Sequence, residues 1–377
     1  MKVGIFGGGQ LGLMLAQAAA RLGIETIALD PAPDAVVARA ARHLAADWLD
    51  PVALEALARC DVVTYEFENV PAEAVAKLAG RVPVHPAPEA LVLSGDRLLE
   101  KRFFHAIGLE PAPFADVDGR AALDRAVAEV GLPAVLKTRR FGYDGKGQVV
   151  LREPAALEDA WSTLGGGSLL LEGFVPFERE LSLAAVRGRD GEIRFWPATE
   201  NLHVDGILHV SRAPAADLPD PQLAAAQRGV EAILRRLDYV GVLVVELFAL
   251  PDRLLVNEMA CRVHNSYHWT IEGAETSQFE NHVRAVAGLP LGDTRVRGHA
   301  AMVNVVGAMP DRAALAALAA EPGLHVHDYG KPPRAGRKLG HVTAVADDAA
   351  ALEARIRRIL AVTGDRARAE PGPRDTR

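Results

Sequence analysis

The chain carries two cysteines, Cys60 and Cys261, in 377 residues. Two widely separated thiols build neither a disulfide framework nor a zinc cluster, so a reducing cytosol is the expected compartment. There is no excess of basic charge either: 42 Lys and Arg stand against 49 Asp and Glu, for a net charge of −7. That balance excludes a protein that grips nucleic acid or an anionic membrane through a basic surface. No apolar run approaches the roughly 20 residues of a membrane span. The opening residues read as strand, glycine turn, helix and strand, unlike a signal peptide. Lysine is scarce as well, at positions 2, 77, 101, 137, 146, 331 and 338, arginine supplying the other basic residues. A lysine kept inside a polar motif therefore marks a place where a compact ammonium is wanted.

What remains is a soluble globular composition, 49% hydrophobic and 24% charged, with length for roughly two or three domains. Residues 1–95 alternate short β-branched runs (KVGIFG, ETIALD, DVVTYEF) with helical periods (LGLMLAQAAARLG, ALEALAR), the pattern of a doubly wound parallel α/β sheet. Three prolines in VPVHPAPEA then break the chain. Residues 96–291 read as a mixed α+β domain with antiparallel sheets, including the hairpin-like LPAVLKTRR and GQVVLR and the strands RELSLAAVRG and VGVLVVELFAL. Residues 292–362 read as a small β-rich domain, and the charged, Pro- and Gly-rich 363–377 as a disordered tail.

Gly7, Gly9 and Gly12 form G-x-G-x-x-G between a strand and a helix, with Asp30 at the end of the next strand. The physical content is a turn whose amides, at a helix N-terminus, can hold an anion. Three readings stay open: a dinucleotide pyrophosphate, as in an NAD-dependent oxidoreductase, a ribose phosphate, or a tight turn that needs glycine sterically.

A second glycine-rich segment, FGYDGKG, joins two antiparallel strands, and Lys137 lies on the incoming one. Such a loop can cover nucleotide phosphates, with Lys137 as the point charge on the α- and β-phosphates. The alternative is a flexible hairpin with a surface lysine. Further on, Glu246 in LVVELFAL and Glu258 in LLVNEMA flank the turn Pro251-Asp252-Arg253. A three-residue turn pairs 250 with 254 and so sets Glu246 opposite Glu258, their Cβ atoms roughly 5 Å apart. Two such carboxylates among apolar neighbours call for a divalent cation, and oxygen-only ligands with Asn257 favour Mg²⁺ over zinc; the alternative is a register slip that turns one glutamate outward to solvent.

Taken together, Lys137, the loop GYDGKGQ, EGFV at 172–175, Glu180, Glu246 and Asn257-Glu258 resemble the ATP-grasp superfamily. Five further segments are similar to one family within it, the 5-(carboxyamino)imidazole ribonucleotide synthases of purine biosynthesis. They are GGGQLGLMLAQAA at the start, TYEFENVP at 64–71, ATENLHVDGIL at 198–208, RVHNSYHWT at 262–270 and GRKLGH at 336–341. The likeness runs from Met1 to about residue 362. It implies an ATP-grasp fold, ATP and Mg²⁺ as cofactors, a homodimer, and the ATP-dependent carboxylation of 5-aminoimidazole ribonucleotide by bicarbonate through carboxyphosphate. Other ATP-grasp carboxylases and formate-dependent glycinamide ribonucleotide transformylases are the alternatives that would share the ATP site.

Carried over by position, the resemblance assigns ATP to Arg97, Lys137, Gly142, Tyr143, Asp144, Gly145, Lys146, Gly147, Gln148, Glu172, Gly173, Phe174, Val175, Glu180, His203, Asn257 and Glu258. It assigns the metal to Glu246 and Glu258. The ribonucleotide and bicarbonate fall to Gly8, Gly9, Gln10, Leu11, Glu66, Arg262, His264, Asn265, Ser266, Arg337 and Lys338. In that scheme the amides of Gly8, Gly9 and Gln10 face the ribonucleotide phosphate. Tyr143, Asp144, Arg262, His264, Asn265 and Lys338 are expected at the reacting groups. Cys261 and Trp269 are read as core.

Overall fold

The computed structural model describes residues 1–142 and 145–364. Strands β1 (Lys2–Phe6), β2 (Glu25–Asp30), β3 (Arg42–Ala45) and β4 (Val62–Tyr65) form a parallel sheet in the order β3-β2-β1-β4. Three of these are the runs of apolar residues visible in the sequence. β3 (RHLA) escaped that reading because it is a half-exposed edge strand with no apolar alternation.

A second sheet is antiparallel and small: β5 (Phe114–Val117), β6 (Ala134–Thr138), β7 (Gln148–Leu151) and β8 (Leu169–Gly173), ordered β5-β8-β6-β7. The third sheet is large. It is built from β9 (Arg179–Arg187), β10 (Ile193–Phe195), β11 (Thr199–Val204), β12 (Ile207–Ala213), β13 (Gly241–Ala249), β14 (Leu254–Ala260), β15 (His299–Val306), β16 (Leu324–Asp328) and β17 (Lys338–Ala346). Its order is β14-β13-β9-β11-β12-β15-β17-β16, with β10 on the side of β9. The strands beyond residue 292 therefore join the central sheet through the β12–β15 ladder, Val210 opposite Val303. The helix Ala349–Thr363, capped by Asp348 and closed by Gly364 at φ +87°, covers them with Leu352, Ile356, Ile359 and Leu360. Most of the tail expected to be disordered lies outside the described residues.

Two packing features place the site. The helix Gln10–Arg21 lays Met14 and Leu15 into the same core as Phe279 and Val283 of the helix Gln278–Ala287, fixing the first glycine turn against the large sheet. Buried His282 pins the two sheets: its Nδ1 accepts from the Val242 amide at 3.1 Å, so its Nε2–H faces Thr64 Oγ1 at 2.8 Å. The helix Arg97–Ala106 begins at Asp96, whose carboxylate accepts from the amides of Leu98 and Leu99, and it runs along β14. Among the described residues no helix is long and apolar enough to cross a membrane.

Candidate active site

Glu246 stands opposite Glu258 in the β13–β14 hairpin, as the sequence reading expects, but by a different route. The turn is one residue longer than expected: Ala249 pairs with Leu254, and the Leu250 amide donates to the Arg253 carbonyl at 2.9 Å. That register alone would set Glu246 across from Asn257. A β-bulge at Asn257 restores the pairing with Glu258. The bulge is held by one face of the helix Arg97–Ala106. Lys101 Nζ donates to the Asn257 carbonyl at 2.7 Å, the Met259 amide donates to Glu100 Oε1 at 2.8 Å, and Arg97 Nη1 donates to Glu258 Oε2 at 2.9 Å. Burial, and then the charge of Glu258, push Glu246 up to about 8. Burial also works against the Glu258 charge, but Arg97 together with Lys137 and Lys101 outweighs it and leaves that carboxyl below its ordinary value. One carboxylate of the pair is thus unwilling to ionise without a cation beside it.

A second buried cluster adjoins the first. Glu172 on β8 accepts from Lys137 Nζ at 2.7 Å and lies 3.4 Å from Lys101 Nζ. Burial alone would raise Glu172, yet the two ammonium groups hold it down to about 2. Its side chain is therefore committed to the lysines. Lys137 in turn is lowered, first by burial and then by neighbouring Arg97 and Lys101. Described residues of the segment between β6 and β7 make contacts on either side of this cluster. Arg97 Nη2 donates to the Gly142 carbonyl at 3.3 Å, and Gly145, at φ +74°, lies so close to the Asp205 carbonyl that a Cβ would stand 3.1 Å from it. Asp205 belongs to the β11–β12 turn that follows His203, so loop and hairpin meet. His203 Nδ1 lies 2.8 Å from Glu180 Oε2. Burial would lower this histidine, but the Glu180 contact overcomes it and raises the imidazole above its usual range. Tyr143 and Asp144 fall outside the described residues.

The first glycine turn is filled from within the chain. The Gly8 amide donates to Asp30 Oδ2 at 2.7 Å, and those of Gly9 and Gly12 donate to the two oxygens of Glu66 at 2.9 and 3.3 Å. A Cβ on Gly7, at φ +107°, would sit 2.6 Å from Glu66 Cγ. The glycines thus make room for a carboxylate at the helix N-terminus. This corrects the expectation that the amides of Gly8 and Gly9 stand open to a phosphate. Burial raises Glu66, and Arg262 and Lys331 partly offset it. Lys331 reaches across from the loop after β16 to Gln10 Oε1 and lies over the Tyr329 ring at 5.9 Å. Burial, helped by Arg337 and Lys338, lowers it to about 8.

The segment after β14 joins the two clusters. Arg262 pairs with Glu68, and its Nη1 donates to the Val263 carbonyl at 2.9 Å; its Nε is buried with no partner. His264 accepts at Nδ1 from the Ser266 amide, so its Nε2–H points to Glu246 Oε1, 3.6 Å away. Burial first, then Arg262 and Lys338, keep this imidazole neutral. Two expected residues are engaged elsewhere. Ser266 is fully buried with its hydroxyl on His264 Nδ1, and Asn265 exchanges hydrogen bonds with Asn304 in a reciprocal amide pair. Arg337 bonds the Pro332 carbonyl, and Lys338 opens β17, its charge reaching Glu246, His203 and His264.

Three residues of this site, Glu100, Lys101 and Lys331, escaped the sequence reading. For the lysines a signal was present: both belong to a chain poor in lysine, and Lys101 lies one helical turn from Arg97. Cys261 and Trp269 are fully buried, as expected of core residues. Tyr267 is buried too, its hydroxyl donating to the Ser182 carbonyl at 2.8 Å. Among the described residues no group of three or more His, Cys, Asp or Glu side chains converges on one point. A two-carboxylate site suits Mg²⁺, which completes its octahedron with phosphate oxygens and water.

A buried lysine on a small antiparallel sheet, set beside paired acidic residues on adjacent strands of a large one, is the arrangement of an ATP-grasp enzyme. The ATP-grasp domain model matches residues 102–279, flanked by the ribonucleotide synthetase preATP-grasp domain at 1–94 and the phosphoribosylaminoimidazole carboxylase C-terminal domain at 300–355. The N5-carboxyaminoimidazole ribonucleotide synthase of Pseudomonas aeruginosa is 53% identical over 96% of this chain and 99% of its own length. The crystal structure of the synthetase from Thermus thermophilus superposes with a TM-score of 0.91 at 49% identity, covering 96% of this chain and 98% of that one. The synthase of Aspergillus clavatus, solved with ADP and 5-aminoimidazole ribonucleotide, superposes at 0.89 and 30% identity over 96% and 98%. The chain belongs to the N5-carboxyaminoimidazole ribonucleotide synthase family.

Proposed function

We infer that this protein uses ATP to join bicarbonate to the exocyclic amine of 5-aminoimidazole ribonucleotide, giving N5-carboxyaminoimidazole ribonucleotide, ADP and phosphate. A bicarbonate oxygen attacks the γ-phosphorus, ADP leaves, and the amine then attacks the carbon of carboxyphosphate with loss of phosphate and a proton. The carrying observation is that the opposed Glu246–Glu258 pair interacts electrostatically with Lys137 on the Glu258 side and with Lys338 on the Glu246 side, and that Lys338 neighbours Lys331 and, through it, Glu66. Family membership supports the same reaction.

Roles follow from position. Lys137, Arg97 and His203 hold the ATP phosphates, beneath the loop 142–148 with its Tyr143 and Asp144. The backbone of Glu172 to Val175 reads the adenine, and Glu180 the ribose. Mg²⁺ on Glu246 and Glu258 would neutralise charge that develops on the transferred phosphoryl group. Arg262, with its unpartnered Nε, and neutral His264 face the bicarbonate-derived carbon. Gln10, Leu11, Lys331, Arg337 and Lys338 take the ribonucleotide phosphate, while Gly8 and Gly9 supply space. Exclusion of water matters because carboxyphosphate hydrolyses readily. No residue acts as a covalent nucleophile.

The three segments 1–95, 96–291 and 292–362 then serve as ribonucleotide, nucleotide and closing units of one cytoplasmic enzyme, which we read as a homodimer in keeping with the family resemblance. The NAD reading of the first turn loses on one observation: Glu66 already occupies the position a pyrophosphate would take. ADP release measured with aminoimidazole ribonucleotide, glycinamide ribonucleotide or biotin, each with bicarbonate or formate, tests the proposal. Stimulation by aminoimidazole ribonucleotide and bicarbonate alone is expected, and stimulation by either other acceptor would overturn it.

A further inference from the structure

His264 faces Glu246, yet the segment that carries it has little regular structure of its own: a single short 3₁₀ turn, Asn265–Tyr267, follows it. A loop residue of this kind keeps its aim only if something fixes its backbone. That support comes from the first residue of the helix Gln278–Ala287. Gln278 is fully buried, and its side-chain amide meets both backbone groups of His264. The His264 amide donates to Gln278 Oε1 at 2.8 Å, and Gln278 Nε2 donates to the His264 carbonyl at 2.7 Å. The side chain thus does for His264 what a neighbouring strand would do, although no strand lies there. The pairing also settles the amide orientation, because the backbone N–H must meet the oxygen and the carbonyl must meet the nitrogen. The second Nε2 hydrogen then faces His268 Nδ1 at 3.2 Å.

Gln278 is itself held. Its own amide donates to Thr270 Oγ1 at 3.0 Å, and Ser277 caps the helix it begins. Beyond it, His268 packs against His341, with ring centroids 5.0 Å apart, on the strand that opens with Lys338. A buried polar path therefore runs from the His264 backbone into the strand that carries the ribonucleotide lysine.

We propose that Gln278 is a positioning residue of the carboxylation: by pairing with both backbone groups of His264 it aims that imidazole at Glu246. The proposal rests on the function inferred above. Gln278 touches no substrate and acts only through His264. Displacement of a reacting group by about 1 Å costs on the order of 100-fold in rate, so the loss falls on kcat more than on the KM for ATP.

The experiment compares wild type, Gln278→Met and Gln278→Glu from pH 6 to 8.5, measuring aminoimidazole-ribonucleotide-dependent ADP release and, separately, ADP affinity. Methionine keeps the volume and loses both hydrogen bonds. A protonated carboxyl keeps one donor and one acceptor, whereas a carboxylate sets negative charge against the His264 carbonyl. Burial favours the protonated form, so the introduced carboxyl titrates upward of its usual range. The groups around it are His268, and beyond that imidazole Arg262, Lys338 and His327.

Both variants are expected to bind ADP within about threefold of wild type. Gln278→Met should lose about 100-fold in kcat at every pH. Gln278→Glu should match that loss at pH 8.5 and regain at least tenfold, relative to Gln278→Met, at pH 6. A Gln278→Met kcat within threefold of wild type overturns the proposal, as does a Gln278→Glu profile parallel to that of Gln278→Met. Loss of ADP binding in both variants also overturns it, by making Gln278 a residue of folding. A wild type inactive with aminoimidazole ribonucleotide would instead strike at the inferred function.

Discussion

Replacing Glu246 by glutamine should make the metal-free protein more stable while destroying its activity. Glu246 goes from 4.5 to about 8 on folding, burial first and the charge of Glu258 second. A carboxyl raised in this way costs stability above its unfolded value, because the unfolded chain releases the proton sooner. At about 1.36 kcal/mol per pH unit, the cost is nil near pH 4.5. It grows to at most about 3 kcal/mol at pH 7 and about 5 kcal/mol above pH 8, where it levels off. Glutamine has no such cost, and it keeps an oxygen facing His264. The assay is urea unfolding followed by tryptophan fluorescence in EDTA at pH 5, 7 and 8.5. The Glu246→Gln midpoint should match wild type at pH 5 and exceed it increasingly toward pH 8.5. Mg²⁺ with ADP should then narrow the margin at pH 7 and 8.5, because only the wild type has both carboxylates for the cation; saturation at 100 Kd adds about 2.7 kcal/mol. A variant no more resistant than wild type at pH 8.5 in EDTA, or a margin independent of pH, would refute the reasoning.

Lys101→Met should lower the urea midpoint by the equivalent of about 3 kcal/mol, the lower end for breaking a buried pair, since Lys137 still reaches Glu172. Glu172 is depressed, so this contribution is present above pH 4.5 and fades as the pH falls toward 2; the gap between the two proteins should narrow in acid. Lys338→Met should raise the KM for aminoimidazole ribonucleotide by about 10- to 150-fold, the loss of one charge-assisted contact, and leave that for ATP nearly unchanged; steady-state kinetics with each substrate varied decide it. Gly7→Ala, which forces a Cβ onto Glu66 at positive φ, should cost about 1–3 kcal/mol in strain. It should also weaken ribonucleotide binding more than ADP binding, as calorimetry with each ligand would show.

The parallel first sheet was legible because each strand is a short apolar run between helical periods, and the central strands because their apolar runs are long. The opposed glutamates were legible only by accident of arithmetic. A turn one residue longer than assumed and a bulge at Asn257 offset one another. Nothing local in LLVNEMA specifies the bulge; the bonds that hold it come from Lys101 and Glu100, more than 150 positions away. Glu66 was placed near the substrate, but its seat on the Gly9 and Gly12 amides depends on β4 lying beside β1, which G-x-G-x-x-G does not encode. The role of Asn265 was hidden for a similar reason: its partner, Asn304, is set by tertiary packing, whereas Ser266 bonds its near neighbour His264.

The continuity of the large sheet bears on shape. From the strand of Glu246 to that of Lys338 there are five strand-to-strand steps, β13-β9-β11-β12-β15-β17. Laid flat, these would hold the two strands about 24 Å apart, yet His264 lies 3.6 Å from Glu246 while Asn265 next to it bonds Asn304 on β15, the neighbour of the Lys338 strand. The sheet must curl on itself, and its ladders break step where such curling is eased, between Leu202 and His203 and again between Val305 and Val306. On the proposed placement of the two substrates, the spacing between the phosphoryl end of one and the phosphate of the other is then a matter of curvature, written into two irregular ladders rather than into any side chain that touches either molecule.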